Sequence, residues 1–405
     1  MKKLLLLGGN ELHKGFNEWK RRSQIESIIV IDWNESPPFK GDFHIKEDIK
    51  DIDKVINVVK QGNFDQWLMC YTSADIAVPT QIAVHKYAGL LFPSEESVWN
   101  SIIKSRSTIK WNEGNLLNRF SLKCNSIADM KIPSYVKDII IKPNMSSGSR
   151  GITIIKEREK VTDNLERAFA KAIGCSRDHA VVVEEFLHGT EYTVEMLGDD
   201  YGNVAVYGIS KKYHTKYVVN NKIAVKLHYN PQDISDDLME KIARTAQKCY
   251  KMLGLKNSLG HLELIVSDDG RISPIEIGAR SSGFIATHCV DAINDENFLL
   301  KYSQIIRGEK VEDKIVFNRK KSSMYFFYDL PPKRSCRETN IMEYALGGIN
   351  SIQWNRDNLK ANKIFQPIMQ DSERYGYEIL AGDRDVLTID KVKSMEETFV
   401  KNFMD

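Results

Sequence analysis

Short apolar runs, punctuated by glycine and separated by helix-length segments, dominate the first part of the chain. Leu4 to Leu7, stopped by Gly8-Gly9, predicts a first buried strand. A segment around Phe16 to Arg22 suits a helix, and Ile28 to Asp32 predicts a second strand. Ile49 to Lys60 has helical spacing, and Gln66 to Cys70 reads as a further short strand. Strand alternating with helix predicts a parallel sheet. From about Trp99 the texture becomes amphipathic and basic, with Lys104, Arg106, Lys110 and Arg119. Asp138 to Pro143 predicts a strand, Asn144 to Gly151 a loop, and Ile152 to Ile155 a returning strand. A helix is expected over Val161 to Ile173.

Val181 to Leu187 then predicts a buried strand, broken at Gly189. Glu191 to Glu195 continues as a strand that alternates acids with apolar residues. Val204 to Ser210 predicts another strand, ending in Lys211-Lys212, and Tyr213 to Tyr229 reads either as a loop over a substrate or as a long irregular connection. Ser235 to Leu253 predicts an amphipathic helix, with Ser235 as N-cap and Gly254 as its stop. Two apolar runs, Gly260 to Leu264 and Pro274 to Ile277, flank Ser267-Asp268-Asp269-Gly270-Arg271, a hairpin-turn signal. Beyond Gly283 the pattern predicts a helix over Phe298 to Ile306 and a strand over Ser323 to Tyr328. Turns follow at Pro331-Pro332 and Gly347-Gly348, then a strand over Tyr377 to Leu380 and a helix from Ser394 to Phe403.

Composition narrows the class more than the function. With 405 residues the chain suffices for two or three domains. The 57 basic and 55 acidic residues nearly cancel, so charge argues neither for nucleic acid nor for an anionic membrane as the main partner. The six cysteines are scattered without a CxxC pair, which indicates neither a zinc knuckle nor a disulfide framework and suits a cytoplasmic protein. Met1-Lys2-Lys3 before Leu4 to Leu7 has the outline of a signal peptide. The apolar run is too short for that and reads as the first strand. No apolar stretch approaches the roughly 20 residues that span a bilayer.

The candidate chemistry sits on the strand ends. The hairpin places Glu263 and Glu276 side by side on adjacent strands, with Arg280 just beyond. Two readings of these residues stand open: an acid pair at the sheet surface salt-bridged to Arg280, or the carboxylate end of a magnesium–triphosphate site. Lys142 ends a buried strand, where an ammonium is costly unless it faces an anion. Ser146, Ser147, Gly148, Ser149 and Gly151 can turn backbone amides and hydroxyls inward as an anion nest on a flap, or form a plain hairpin tip. It is not a P-loop, because GxxxxGK[ST] is absent and a strand follows. The break before Gly189 can expose backbone groups for an adenine edge. Glu184 or Glu185 could take the exocyclic amine and Glu191 the ribose. Lys104 is the basic residue best placed to reach an α-phosphate. Asp32 ends the second strand as a ribose-binding acid would, but Gly8-Gly9 is followed by Asn10-Glu11-Leu12, so GxGxxG and with it NAD binding are not supported.

The order of these features resembles the ATP-grasp superfamily over about residues 1 to 310. The segments that carry the resemblance are Ile141-Lys142-Pro143 with Gly148-Ser149-Arg150-Gly151, Glu184-Glu185-Phe186-Leu187 with Gly189-Thr190-Glu191, and His261-Leu262-Glu263 with Ile275-Glu276-Ile277-Gly278-Ala279-Arg280. Within it the chain looks most like the carboxylate–amine ligases, including bacterial L-amino-acid (dipeptide) ligases, and more distantly like D-alanine–D-alanine ligase and biotin carboxylase. The resemblance implies a mixed α/β and α+β fold. A Rossmann-like N-terminal domain would span residues 1–98. The ATP-grasp domain would span 99–310, split near 185 into two subdomains that clamp ATP. A small α+β cap or dimerisation domain would span 311–405.

It also implies roles. Lys104 and Lys142 would bind the α- and β-phosphates, with Ser147, Gly148, Ser149 and Gly151 as the flap. Glu184, Glu185 and the backbone near Phe186 and Leu187 would read adenine, and Glu191 the ribose. Glu263 and Glu276 would hold magnesium, two ions with manganese able to substitute. Arg280 and Lys142 would stabilise the transferring phosphoryl group. The reaction would activate a carboxylate as an acyl phosphate and pass it to an amine, giving ADP and phosphate. The alternatives are transfer to a carrier-protein thiol, use of bicarbonate, or a regulatory protein that binds ATP without turnover. Substrate contacts would come from Lys211, Tyr213, His228, Ser281, Ser282 and His288. The expected partners are small-molecule carboxylates and amines, with a homodimer as the candidate assembly. Two positions depart from the pattern: Gly278 stands where a further asparagine ligand is often found, and Thr108 stands four residues after Lys104, with Lys110 as the nearby basic residue.

Overall fold

The computed structural model describes residues 3–10, 13, 16–22, 25–62, 67–157, 162–218, 223–282, 286–335, 347–355, 359, 362–369 and 373–403. Gly283 of the acid-bearing motif and Val161 of the expected helix lie outside the described residues.

The N-terminal unit runs β1 (Lys3–Leu7), α1 (Phe16–Arg22), β2 (Ser27–Asp32), β3 (Phe43–Lys46), α2 (Ile52–Gln61), β4 (Trp67–Thr72) and α3 (Val78–Tyr87). Its strands pair in parallel in the order β3-β2-β1-β4. Leu4 and Leu6 pack into the main core with Val78 and Ile82, whereas Leu5 and Leu7 pack with Val55 and Val59 of α2. Burial on both faces is why β1 reads as an unbroken apolar run rather than an alternating one. Helix α2 starts at Ile52, three residues later than the periodicity predicts, because Asp51 caps it by accepting from Lys54 N.

Two helices follow, α4 (Glu95–Ile102) and α5 (Lys104–Glu113). The extended backbone of Ile103 separates them and sets Lys104 at the start of α5. A small antiparallel sheet is built from β5 (Ser121–Cys124), β6 (Ile139–Pro143), β7 (Thr153–Ile155) and β8 (Val181–Glu185), in the order β5-β8-β6-β7. Helix α6 (Thr162–Cys175) covers it. Ile139, Ile141, Val181 and Val183 share a core with Ala168 and Phe169 of that helix.

The chain then changes sheets. β9 (Gly189–Gly198), β10 (Val204–His214), β11 (Ala224–Tyr229), α7 (Asp236–Met252), β12 (Ser258–Ser267), β13 (Ile272–Gly278), α8 (Ala286–Ile293), α9 (Phe298–Ile305), β14 (Lys321–Tyr328), β15 (Ile349–Asn355), β16 (Tyr375–Asp383) and α10 (Ile389–Phe403) follow. The strands form an eight-stranded sheet ordered β13-β12-β9-β10-β11-β14-β16-β15. Gly189 is the crossing point: its φ is +151°, and a Cβ there would lie 2.2 Å from the Val266 carbonyl oxygen. Ser235 caps α7 by accepting from Leu238 N, and Gly254 ends it at φ +75°.

Two expectations are corrected. The stretch Tyr213–Tyr229 is strand at both ends: β10 continues to His214, and β11 occupies Ala224–Tyr229. Lys226 and His228 disguised β11 as polar. Both are buried, Lys226 against Glu396 and His228 against Ser322. The segment after residue 311 also contains β15, which the pattern did not predict. Its strands β14, β16 and β15 extend the large sheet through the pairing of β11 with β14. Among the described residues no helix is long and apolar enough to cross a membrane.

Candidate functional site

The hairpin delivers the two acids through its turn and a register shift beyond it. Ser267 N donates to Arg271 O at 2.9 Å across the turn. Continued unbroken, that register would put Ile275 opposite Glu263; a one-residue shift between Glu263 and Leu264 brings Glu276 there instead. Both acids face a cleft of about 1070 Å³ between the two antiparallel sheets. The loop after β4, at the carboxyl end of the parallel sheet, also reaches it through Ser73, Ala74 and Asp75, where open α/β sheets present their ligand crevice.

The cleft is densely charged. Lys104 Nζ lies 3.0 Å from Glu276 and 3.0 Å from the Ser146 carbonyl. Lys212 Nζ lies 2.6 Å from Glu263 and 3.9 Å from Glu191. His261 Nδ1 is 2.7 Å from the buried Glu195, and its Nε2 is 3.5 Å from Glu263. Burial opposes charge on His261, but the Glu195 carboxylate outweighs it and raises the imidazole to about 9. Burial likewise opposes ionisation of Glu263, yet Lys212 and then His261 hold its carboxyl well below the usual range. Both lysines stay charged: against burial, Glu276 raises Lys104 and Glu263 raises Lys212.

A second cluster sits on the small sheet. Glu184 is almost wholly buried. Its Oε2 takes Lys142 Nζ at 2.6 Å and Arg119 Nη2 at 3.0 Å, and its Oε1 accepts from Ser121 at 3.2 Å. Burial lowers the Lys142 ammonium, with Glu184 only partly compensating. Arg119 and Lys142 hold the Glu184 carboxyl low against burial. Glu184, expected to face an adenine amine, lines the cleft and is the counter-ion of Lys142 and Arg119. Glu185, Phe186 and Leu187 line the cleft where the chain leaves the small sheet, and Glu191 bonds His214 at 3.2 Å.

The Ser146–Arg150 loop lines the same cleft with successive positive φ at Gly148 (+67°) and Ser149 (+57°). Gly151 (φ +75°) is not in the lining. A Cβ there would come within 2.8 Å of Cys175 and Pro143, so this glycine closes the loop against its base. Arg280 enters from beyond β13 and meets Asp75 at 2.6 Å. Gly278 permits this approach, because a Cβ at that position would lie 3.2 Å from Asp75 Oδ1 and from Arg280.

Of the candidate substrate contacts only Ser282 lines the cleft. Lys211 and Tyr213 lie one strand position out of phase with Lys212. Lys211 pairs with Asp233 and stacks over Tyr213. His228 is buried against Ser322. Ser281 bonds the Tyr71 hydroxyl, and His288 packs on Phe16 of α1. Cleft residues to which the sequence reading gave no role in the site include Asp75, Arg119, Lys212, His214 and His261. For Lys212 the signal existed as the Lys211-Lys212 pair, but its phase did not. Asp75 and Arg119 become partners only through folding, since they meet residues 205 and 65 positions away.

Glu263 and Glu276 offer carboxylate oxygens only, the hard donors that suit magnesium. Among the described residues no group of three or more His, Cys, Asp or Glu side chains could hold a metal. An ion held by this pair would complete its coordination with phosphate oxygens and water, as magnesium commonly does.

Comparison with known proteins points the same way. The ATP-grasp domain model matches residues 135–288. Mitochondrial pyruvate carboxylase of Rattus norvegicus is 28% identical over 149 residues, 36% of this chain, and the match spans only 12% of that relative's length. A D-alanine–D-alanine ligase of Flavobacterium johnsoniae is 23% identical over 287 residues, covering 66% of this chain and 82% of the relative. Among solved structures, an L-amino acid ligase from Bacillus licheniformis superposes with a TM-score of 0.74 at 16% identity, covering 100% of this chain and 98% of that one. Residues 135–288 therefore form an ATP-grasp domain, and the chain has the ATP-grasp fold.

Proposed function

We propose that the chain is an ATP-dependent ligase that activates a carboxylate, an amino acid or another small acid, as an acyl phosphate and transfers the acyl group to an amine. The observation that carries this reading is one cleft lined by the paired acids Glu263 and Glu276, the lysines Lys104 and Lys142, the Ser146–Arg150 loop and Arg280. No covalent nucleophile is needed, because phosphoryl transfer of this kind rests on positioning and charge neutralisation.

In this reading adenine lies against Glu185, Phe186 and Leu187, and Glu191 takes the ribose hydroxyls. Lys104 and Lys142 hold the α- and β-phosphates, and the amides of Ser147, Gly148 and Ser149 close over the triphosphate. Glu263 and Glu276 would hold the magnesium, which neutralises the phosphate charge. A carboxylate oxygen of the first substrate forms a bond to the γ-phosphorus as the bond to the ADP oxygen breaks. The amine then attacks the acyl carbon, phosphate leaves, and the amine nitrogen loses its proton to solvent. Arg280, held by Asp75, faces the oxygens on which charge develops in both steps. Ser282 is the one candidate substrate contact within reach of this centre.

The test is an ADP-release screen of the pure protein against pairs of amino acids and other carboxylates. ADP release that needs both an acid and an amine supports the reading. Glu276→Ala should lower kcat about 100-fold or more. A Glu276→Ala variant with full ATP-dependent turnover would sink it.

A further inference from the structure

The cleft lies between two sheets that share no strand. Lys142 belongs to the small sheet, and Glu263 and Glu276 belong to the large one. Phosphoryl transfer tolerates little error in the relative placement of such groups, so side chains that join the sheets matter.

Arg119 joins the two sheets, as Lys104 does between Glu276 and the Ser146 carbonyl. Arg119 sits between α5 and β5 with a side chain only 3% exposed. Toward the small sheet its Nε and Nη2 lie 3.2 and 3.0 Å from Glu184 Oε2, the oxygen that also takes Lys142 Nζ at 2.6 Å. Toward the large sheet its Nη1 donates to Ser273 Oγ at 2.6 Å and to the Pro274 carbonyl. Ser273 and Pro274 lie on β13, the strand that carries Glu276. The neighbouring Asn118 adds a contact from its Nδ2 to Ile272 O at 2.7 Å. Arg271 also bridges the sheets through Glu185 at 3.1 Å, but it is 39% exposed, where solvent screens such a pair. A guanidinium fork holds Glu184, Ser273 and Pro274 at once; a lysine ammonium, three donors at a single point on a flexible stem, does not reproduce that planar fork.

We propose that Arg119 is a positioning residue that holds the Lys142–Glu184 pair in register with the Glu276-bearing strand, so that nucleotide and magnesium binding are coupled through it. This rests on the nucleotide reading above, and the test separates the two. ADP is titrated calorimetrically into the full-length protein with and without saturating Mg2+, for wild type, Arg119→Lys and Ser273→Ala, with thermal unfolding alongside. Wild type should bind ADP about 10-fold more tightly with the metal. Arg119→Lys keeps the charge and loses the fork, and it should bring that ratio toward one while its unfolding midpoint stays near wild type. Ser273→Ala leaves Glu184 and Lys142 untouched. It should leave metal-free ADP affinity unchanged and still reduce the ratio, and it decides the matter if Arg119→Lys folds poorly. Wild-type ratios in the folded variants overturn the positioning role alone. A wild-type protein that binds no ADP overturns the nucleotide reading and this inference with it.

Discussion

Lys211 and Lys212 are neighbours in sequence and point to opposite faces of β10, one to Asp233 and the other to Glu263. A shift of one residue exchanges the faces of a strand, so the identity of the cleft lysine depends on register, not on composition. His85 shows the same dependence on surroundings. It is fully buried on α3, with Nε2 3.1 Å from Cys70 N and 2.9 Å from Cys70 O. Burial lowers its pKa to about 4, and the contact with Cys70 only partly offsets this. A histidine kept neutral by the fold stabilises fully above its unfolded pKa, near 6.5. That contribution is lost as pH falls through about 4, because the unfolded chain binds the proton first. Stability should therefore drop between about pH 6.5 and 4, by an amount on the order of 3 kcal/mol from this residue. Denaturant midpoints measured across that range should fall less steeply in His85→Gln than in wild type.

At the scale of elements, the β12–β13 hairpin was the most legible part of the site. Its turn residues and the spacing of its apolar runs signalled the hairpin, but the one-residue shift between Glu263 and Leu264 that pairs Glu263 with Glu276 had no signal in the sequence. Gly189 was legible as a break but not as a crossing between sheets. Its φ of +151° and the 2.2 Å approach of a hypothetical Cβ to Val266 O leave room for glycine alone. Gly189→Ala should cost about 2–4 kcal/mol in urea unfolding. A loss below about 0.5 kcal/mol would show that the crossing can relax. The strand β11 was illegible for the opposite reason: it pairs with β14 as well as with β10, and its polar residues Lys226 and His228 are matched by the distant Glu396 and Ser322.

Across the whole molecule, the last helix is tied to the central sheet by charge as well as by packing. Lys226 Nζ lies 3.1 and 3.0 Å from the two oxygens of Glu396, and Asp329 N donates to the same carboxylate at 2.7 Å. Asp329 in turn accepts from Thr215 at 2.6 Å, at the end of β10. Removing one partner of a buried pair strands the other charge, so Glu396→Ala should destabilise the protein by about 3–5 kcal/mol in denaturant unfolding. Asp237→Ala, which breaks the exposed pair with Lys241, should cost under about 1 kcal/mol. The sequence alone determined the parallel N-terminal unit, the capped helix α7, the Gly148–Ser149 loop and the acid hairpin, because caps, turns and periodicity act within a few residues. Only the tertiary structure decided that Lys212 and not Lys211 enters the cleft, that Glu184 serves Lys142 and Arg119, and that Asp75 holds Arg280. Those choices depend on sheet register and on contacts between distant residues, which exist only once both sheets and the N-terminal unit have packed around the same cleft.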